Sequence, residues 1–104
     1  NAKKKIYKTI REWKIHMKSG TEIGELAYMY NPIIRGWINY YGAYYKTVLI
    51  TILRYINRRL SKWAMKKYKK LRGRKRRAGQ WIARISKKNP ELFAHWSVLY
   101  KQND

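Results

Sequence analysis

The highest density of charged residues in this chain lies in the segment KKYKKLRGRKRR, where nine of the twelve residues from Lys66 to Arg77 are basic. The whole composition is also basic, because 26 Lys and Arg against 5 Asp and Glu give a formal charge of +21 on 104 residues. Such self-repulsion opposes compaction unless an anion screens it, and phosphates are anions that Lys and Arg bind well. The charge therefore predicts a polyanionic partner, with nucleic acid as the first candidate.

Side chains suited to catalysis or metal binding are scarce. The acids are Glu12, Glu22, Glu25, Glu91 and Asp104, and no two of them have the spacing of a recognisable catalytic pair. His16 and His95 lack a neighbouring His or Cys that would complete a metal site, so we interpret them as partly buried or solvated histidines. No glycine-rich phosphate loop follows a strand, and no His-x-x-Arg element precedes a candidate tyrosine nucleophile. The sequence predicts no enzyme activity for this chain, no metal and no cofactor.

The composition indicates a folded basic module rather than a basic tail. Hydrophobic residues make up 45% and aromatic residues 15% of the chain, which is enough for one packed core, so we expect a single domain over residues 1–104. The absence of cysteine favours a reducing, intracellular compartment, and we expect a soluble cytoplasmic chain. No stretch approaches the ~18–20 apolar residues of a membrane span, so no membrane partner is predicted. The chain begins Asn-Ala rather than Met, and we expect it to be a piece of a longer protein.

The elements that must position the cations are predicted to be helices. From Lys3 to Lys18, apolar residues recur at helical spacing, which predicts a first helix ending at Ser19-Gly20. Its apolar face would hold Ile6, Ile10, Trp13 and Met17. Early Glu22 and Glu25 suit the start of a short second helix that reaches Tyr30.

Asn31-Pro32 is predicted to end the second helix and begin a third, because Asn is a favoured N-cap and Pro fits a first helical turn. Gly36 and Gly42 weaken this helix, since each costs about 1 kcal/mol against Ala in a helix interior. They suggest either the close approach of a neighbouring backbone or a break near Gly42.

The stretch from Lys46 to Leu71 gives the clearest helical pattern, with two distinct faces at 100° per residue. The apolar face holds Leu49, Leu53, Ile56, Leu60 and Trp63, and the basic face, about 150° away, holds Arg54, Arg58, Lys62, Lys66 and Lys69. No acid lies between Lys46 and Asn89, so nothing nearby in sequence neutralises the basic face. We therefore interpret it as a phosphate-binding surface rather than as a merely solvated face.

Gly73 then permits a turn, and a further short helix should end before Asn89-Pro90. Its apolar positions are Ala78, Trp81, Ile82 and Ile85, and a last apolar turn holds Leu92, Phe93 and Trp96. No alternating apolar and polar run is bounded by hairpin turns. The predicted fold class is all-α, a bundle of about three to five helices with one long amphipathic helix near residues 46–71.

The aromatic residues divide between core and surface. Trp37, Trp63, Trp81 and Trp96 occupy apolar stripes, so we assign them to the core. Tyr55 lies on the basic side of the long helix, where it either stacks on an unpaired base or covers a neighbouring helix. Four tyrosines cannot all point inward from one helix, so some must face a partner or solvent; they are Tyr40, Tyr41, Tyr44 and Tyr45.

The segment NPIIRGWINYYGAYY, from Asn31 to Tyr45, resembles the maturase-specific domain of group II intron-encoded proteins, the thumb-like region after the reverse transcriptase palm. The residues that carry the resemblance are Pro32, Gly36, Trp37, Asn39, Tyr40 and Tyr41. Downstream support comes from Leu60, Trp63, the Lys67-Tyr68-Lys69 triplet, Trp81 and the closing Leu92-Phe93-Ala94-His95-Trp96. The similarity spans about residues 23–100.

The resemblance implies an α-helical thumb, in a bacterial cytoplasm, that binds group II intron RNA and assists its folding and splicing. In the complete protein it would brace the template-primer duplex beside the reverse transcriptase palm of the same polypeptide and contact DNA during retrohoming. The paired aspartates of the palm and the zinc ligands of an endonuclease are absent here, so only the binding role carries over.

We therefore predict that RNA is bound by the cations and one tyrosine of the basic surface. The predicted residues are Arg35, Arg54, Tyr55, Arg58, Lys62, Lys66, Lys69, Lys70, Arg72, Arg74, Lys75, Arg76 and Arg77. Two alternatives belong to other classes of function. One is a protein-interaction module that docks on the palm through Asn31–Tyr45, and the other is a non-specific binder of DNA or of anionic surfaces.

Overall fold

Helices carry all of the regular structure that is described. The computed structural model describes residues 2–100, in which no strand occurs, and the predicted all-α fold is confirmed. The helices are α1 (Ala2–Glu12), α2 (Ile23–Tyr44), α3 (Lys46–Lys67), α4 (Lys75–Lys88) and α5 (Trp96–Tyr100). Two short 3₁₀ turns lie at Ile15–Met17, between α1 and α2, and at Lys69–Leu71, between α3 and α4.

The long helix α3 lies at the centre and packs against the four other helices and both 3₁₀ turns. Its buried residues are Leu49, Ile52, Leu53, Ile56, Leu60, Trp63 and Ala64, which include every member of the predicted apolar face. Burying one such large side chain contributes roughly 1.5–3 kcal/mol, so this stripe holds the bundle together. The helix ends at Lys67 rather than at Leu71, because Tyr68 is extended and the 3₁₀ turn follows.

The prediction of one helix from Lys3 to Lys18 was wrong. Helix α1 ends at Glu12, and Lys14 takes a left-handed conformation with φ 51° before the 3₁₀ turn. In a continuous helix Met17 would face the core with Ile10, and Ile15 would face away. The break reverses this, since Ile15 is buried and Met17 is 65% exposed.

The prediction of a break at Asn31-Pro32 was also wrong, because α2 runs without interruption from Ile23 to Tyr44. The helix begins at a capping box, in which the backbone N–H of Glu22 donates to Glu25 Oε1 at 2.9 Å. Asn31 does not cap a helix. Its Nδ2 donates to the carbonyl of Leu92 and its Oδ1 accepts from the N–H of Ala94, both at 2.9 Å. Asn31 therefore fastens the C-terminal segment to α2.

The two long helices meet at a tight corner. Helix α2 continues two residues past Gly42, and only Tyr45 separates it from α3. A Cβ built on Gly42 would lie 3.6 Å from Leu49 Cδ2, which is an ordinary van der Waals contact, so the two helices meet here without requiring a glycine. The turn after α3 was predicted correctly, since Gly73 has φ 72°, and α4 ends at Lys88, before Asn89-Pro90.

The core tryptophans were largely predicted. Trp63 and Trp96 are fully buried, and Trp37 and Trp81 are half-buried against the same cluster. Trp13 stacks on Tyr30, with ring centres 4.1 Å apart.

A polar network joins the C-terminal segment to α3. Asn57 Oδ1 accepts hydrogen bonds from Trp96 Nε1 at 2.9 Å and from His95 Nε2 at 2.7 Å, and Asn57 Nδ2 donates to the Tyr100 hydroxyl at 2.9 Å. Because an indole N–H can only donate, it fixes the orientation of the Asn57 amide, and His95 must carry its proton on Nε2. Burial lowers the pKa of His95 to about 3, so the ring is neutral.

Candidate nucleic-acid interface

All twelve predicted cations are exposed. They are Arg35, Arg54, Arg58, Lys62, Lys66, Lys69, Lys70, Arg72, Arg74, Lys75, Arg76 and Arg77. None of them pairs with an acid within 4 Å in the described part of the chain, where Lys67 pairs with Glu22 at 3.7 Å. Their charge is therefore open to a ligand.

Helices α3 and α4 enclose a groove that gathers several of these cations. Two adjoining hollows, of about 600 and 380 Å³, share Arg58, Ser61 and Gly79 in their walls, and together they form what we call the α3–α4 groove. Its basic residues are Arg54, Arg58, Arg59, Lys62 and Lys75, and no acid among residues 2–100 lines it. Polar hydroxyl and amide groups from Thr51, Asn57, Ser61 and Tyr100 complete the polar lining. The groove is thus suited to a phosphate backbone.

Gly79 lies in the wall of this groove, and no side chain projects into the groove from this position. It lies inside α4, and a Cβ built on it would meet no heavy atom within 4 Å. A larger side chain at this position would therefore point into the groove rather than into the core.

Tyr55 is half-buried, unlike the exposed Arg54 and Arg58 near it. Its ring centre lies 4.6 Å from that of Tyr7 on α1, and the Arg58 guanidinium carbon lies 5.5 Å from the Tyr55 ring centre. Tyr55 therefore covers a neighbouring helix while it lines the groove. Stacking of its ring on a base stays a prediction.

Arg59 belongs to the groove but was missed by the sequence reasoning. Its guanidinium lies 3.1 Å from His16 Nδ1, and its buried Nε has no hydrogen-bond partner in the described residues. The signal for it was its helical spacing, because Arg59, Lys62 and Lys66 form one i, i+3, i+7 row.

The pKa of His16 is lowered by burial and by the positive potential near Arg59 and Lys62 of the groove. Burial lowers its pKa, and the charges of Arg59, Lys66, Lys62 and Lys14 lower it further. Four cations thus act on one imidazole, and the local field disfavours any further positive charge.

The first turn of α4 carries Lys75, Arg76 and Arg77 and no acid. The N-terminal end of a helix has a partial positive charge and free N–H groups, so it is normally occupied by acids. The three cations are repelled by the partial positive charge of the helix N-terminus and by one another. A bound phosphate would relieve this repulsion.

The outer face of α4 extends the basic surface beyond the predicted residues. Arg84, Lys87 and Lys88 are exposed on it and were missed. The signal was again spacing, because Arg77, Arg84 and Lys88 lie within about 40° of one another around the helix. Lys70 and Arg77 share a smaller hollow with Arg84.

Arg35 is not brought together with the other cations. It lies on α2 in a separate hollow, which is also lined by Asn39 and the acid Glu91. Its predicted role in the same surface therefore gains no support from the geometry.

Neither histidine is arranged as a metal ligand. Within residues 2–100 no three His, Asp or Glu side chains come together as a metal site requires. His95 is sealed in the core by its bond to Asn57, and His16 contacts Arg59. No helix of the described chain combines the length and the apolar character needed to cross a bilayer.

The sequence model of the family described as "Group II intron, maturase-specific domain" matches residues 3–81. These residues include α1, α2, α3 and the first half of α4, and with them most of the basic surface. No curated protein and no solved structure gives a significant match to the chain.

Proposed function

Because this chain belongs to the group II intron maturase-specific domain family, whose function lies in intron splicing, we propose that it binds group II intron RNA through the α3–α4 groove and the cations around it. Binding would stabilise the folded form of the RNA and so assist splicing. The splicing chemistry would belong to the RNA.

The observation that carries this proposal is the open charge of the groove. Five cations line it, and none of the acids in the described part of the chain accompanies them. Lys66, Lys69 and Arg72 continue the basic surface toward α4. Folded RNA is recognised largely through its shape and its phosphates, and each neutralised phosphate releases condensed counterions. A rigid helical surface with many unpaired cations supplies that kind of contact.

The salt dependence of RNA binding tests the proposal. With about six to eight phosphates contacted, the slope of log affinity against log salt should be about −5. Filter binding of a structured group II intron RNA over a salt series measures this slope. A slope near zero would contradict the proposal.

Specificity is tested by competition. Structured intron RNA should displace a labelled intron RNA more effectively than duplex DNA or anionic vesicles of matched charge. Equal displacement by all three would favour a general binder of anionic surfaces.

In the complete protein, we propose that the same helices brace the template-primer duplex beside a reverse transcriptase palm and contact DNA during retrohoming. The A-form shape of an RNA–DNA hybrid presents phosphates much as a folded RNA does, so the α3–α4 groove suits both. Polymerase activity would reside in that palm.

The outer face of α2 supports a second role, docking on the palm. Tyr40 and Tyr44 are 63% and 80% exposed on this helix. Met29 and Ile33 are also exposed, and the four side chains lie within about 60° of one another around the helix. Exposed aromatic and apolar side chains in such number are typical of protein interfaces. A palm fragment added without RNA should therefore form a complex that survives gel filtration, and Tyr40→Ser with Tyr44→Ser should weaken it. Failure of the complex to form would rule out this role.

A further inference from the structure

A small hollow lies on the other flank of α4 from the α3–α4 groove. It has a volume of about 270 Å³ and is lined by Lys70, Leu71, Arg77, Gln80, Trp81 and Arg84. Arg84 is about 140° around the helix from Gly79, so the two concave surfaces face different directions. At about 30 Å³ for each water molecule, the hollow holds roughly nine waters, which is room for one nucleobase.

The polar side chains of this hollow have no partners among the described residues. Lys70, Arg77, Gln80 and Arg84 make no side-chain hydrogen bond or ion pair within residues 2–100, and no acid lines the hollow. The indole N–H of Trp81 is likewise unpaired there, and it is not sealed from solvent. A tryptophan N–H in a partly buried position usually has an acceptor, so this one is available to a ligand.

The aromatic ring in the hollow is held in place by the core. The Trp81 ring centre lies 5.0 Å from that of Tyr68 and 6.4 Å from that of Trp63. It is half-buried, so part of its surface remains open to the hollow. A rigid indole beside three cations combines a surface for stacking with charges for phosphate, which is the pairing used to bind single-stranded nucleic acid.

We propose that this hollow binds one unpaired nucleotide from a loop or bulge of the RNA, with the base against Trp81 and its flanking phosphates against Lys70, Arg77 and Arg84. The proposal rests on the RNA-binding function proposed above. Bases inside a duplex are stacked on one another and cannot enter so small a space, whereas an unstacked base can. Gln80 and the indole N–H offer hydrogen bonds to the edge of that base. The hollow therefore adds a preference for unpaired nucleotides, which the α3–α4 groove alone does not supply.

The test compares two RNA probes, a short single-stranded oligoadenylate and a blunt oligoadenylate–oligouridylate duplex of the same length, by fluorescence anisotropy at one salt concentration. The first pair of variants is Arg84→Gln and Lys88→Gln, since both residues are exposed cations of α4 but only Arg84 lines the hollow. Both should weaken duplex binding to the same small extent. Only Arg84→Gln should lower affinity for the single strand further, by about threefold or more. Identical effects of the two variants on both probes would overturn the proposal.

The second pair is Trp81→Leu and Trp81→Phe. Loss of one stacked base lowers affinity by roughly tenfold, so Trp81→Leu should show this loss for the single strand and less than a twofold change for the duplex. Trp81→Phe should retain most single-strand binding. An equal loss for both probes, or no loss, would contradict the proposal. If structured intron RNA itself does not bind, the proposed function fails; if it binds and these differences are not seen, only the proposal for the hollow fails.

Discussion

His95 occupies the least water-like environment of any titratable residue described. The ring is fully buried, Nε2 donates to Asn57, and Nδ1 has no partner within residues 2–100. A proton on Nδ1 would place an uncompensated charge in the core, which is why the pKa falls from 6.5 to about 3. The fold therefore depends on this residue remaining neutral.

This environment predicts a loss of stability in mild acid. Between pH 6.5 and about 3 the unfolded chain binds a proton at His95 that the folded chain does not, so the free energy of unfolding falls as pH falls. The loss should be up to about 1.4 kcal/mol per pH unit, or about 2 kcal/mol between pH 6.5 and pH 5. Urea unfolding at a series of pH values measures it.

His95→Gln and His16→Gln are the matched pair for this prediction. His95→Gln should lower stability at pH 7 and flatten the pH dependence, because no group is left to protonate in the core. His16→Gln should keep most of the dependence, since that ring is only partly buried. If both variants titrated like the wild type, the carboxyl groups rather than His95 would be the cause.

At the scale of elements, Gly79 of α4 is a position where a substitution should affect stability and RNA binding in opposite directions. Gly79 lies in the helix interior, where glycine costs about 1 kcal/mol, and yet its side-chain position is open space in the groove wall. A side chain there would stabilise α4 and at the same time fill the groove.

Gly79→Gln should therefore raise the melting temperature by a few degrees and weaken RNA binding. The salt slope should become shallower by about 0.7 for each phosphate contact that is lost. Thermal unfolding and filter binding measure the two effects.

Gly36→Gln is the control for Gly79→Gln, because Gly36 is also an open position in a helix interior but lies on α2, away from the groove. It should raise stability to a similar extent and leave RNA affinity unchanged. Weaker binding by the Gly36 variant would indicate that RNA contacts α2 as well.

Local pattern predicted the elements well where local forces decide them. The apolar face of α3, the turn at Gly73 and the end of α4 before Asn89-Pro90 all follow from spacing and turn chemistry. The break at Lys14 and the continuity of α2 do not. Asn31 has the type of an N-cap, but its partners Leu92 and Ala94 lie about sixty residues away, so only tertiary structure reveals its role.

The sequence predicted which basic residues form the candidate site but not the groove that they line. Each selected cation is exposed, as its place on a basic face implies. The α3–α4 groove depends on how two helices pack, and that packing also brings Arg59 into the groove. Arg35 is kept apart because it lies on α2, in another hollow. Neither outcome is available from the periodicity of one helix.

At the scale of the whole molecule, a charge of +21 is carried on a fold with little internal neutralisation. Much of the excess lies on α3, on α4 and on the turn between them. Cations that repel one another destabilise the free protein, so a bound polyanion should stabilise the fold as well as occupy the surface.

Replacing Arg74, Lys75, Arg76 and Arg77 with Ala should weaken RNA binding and make the salt slope shallower by up to about 3. The helices should remain, because these side chains are exposed and three of them oppose the dipole of α4. Filter binding and circular dichroism measure the two outcomes. Loss of helical signal would instead assign these residues a structural role.

The charge-matched control replaces Lys3, Lys5, Lys8 and Arg11 with Ala on α1. These residues are exposed, do not line the α3–α4 groove, and give the same change in net charge. This variant should bind RNA nearly as well as the wild type. Equal losses in both variants would mean that net charge alone, without a defined surface, drives binding.

The bonds from Asn31 and Asn57 to the last turns of the chain bear on where a minimal fragment can be cut. A truncation at residue 81, where the family match ends, would divide α4 and delete Phe93 and Trp96 from the interior. It would also leave the side-chain amides of Asn31 and Asn57 without the hydrogen-bond partners they now have in Leu92, Ala94, Trp96 and Tyr100. Expression boundaries for this family member should therefore follow the hydrogen bonds to Tyr100 rather than the extent of sequence similarity.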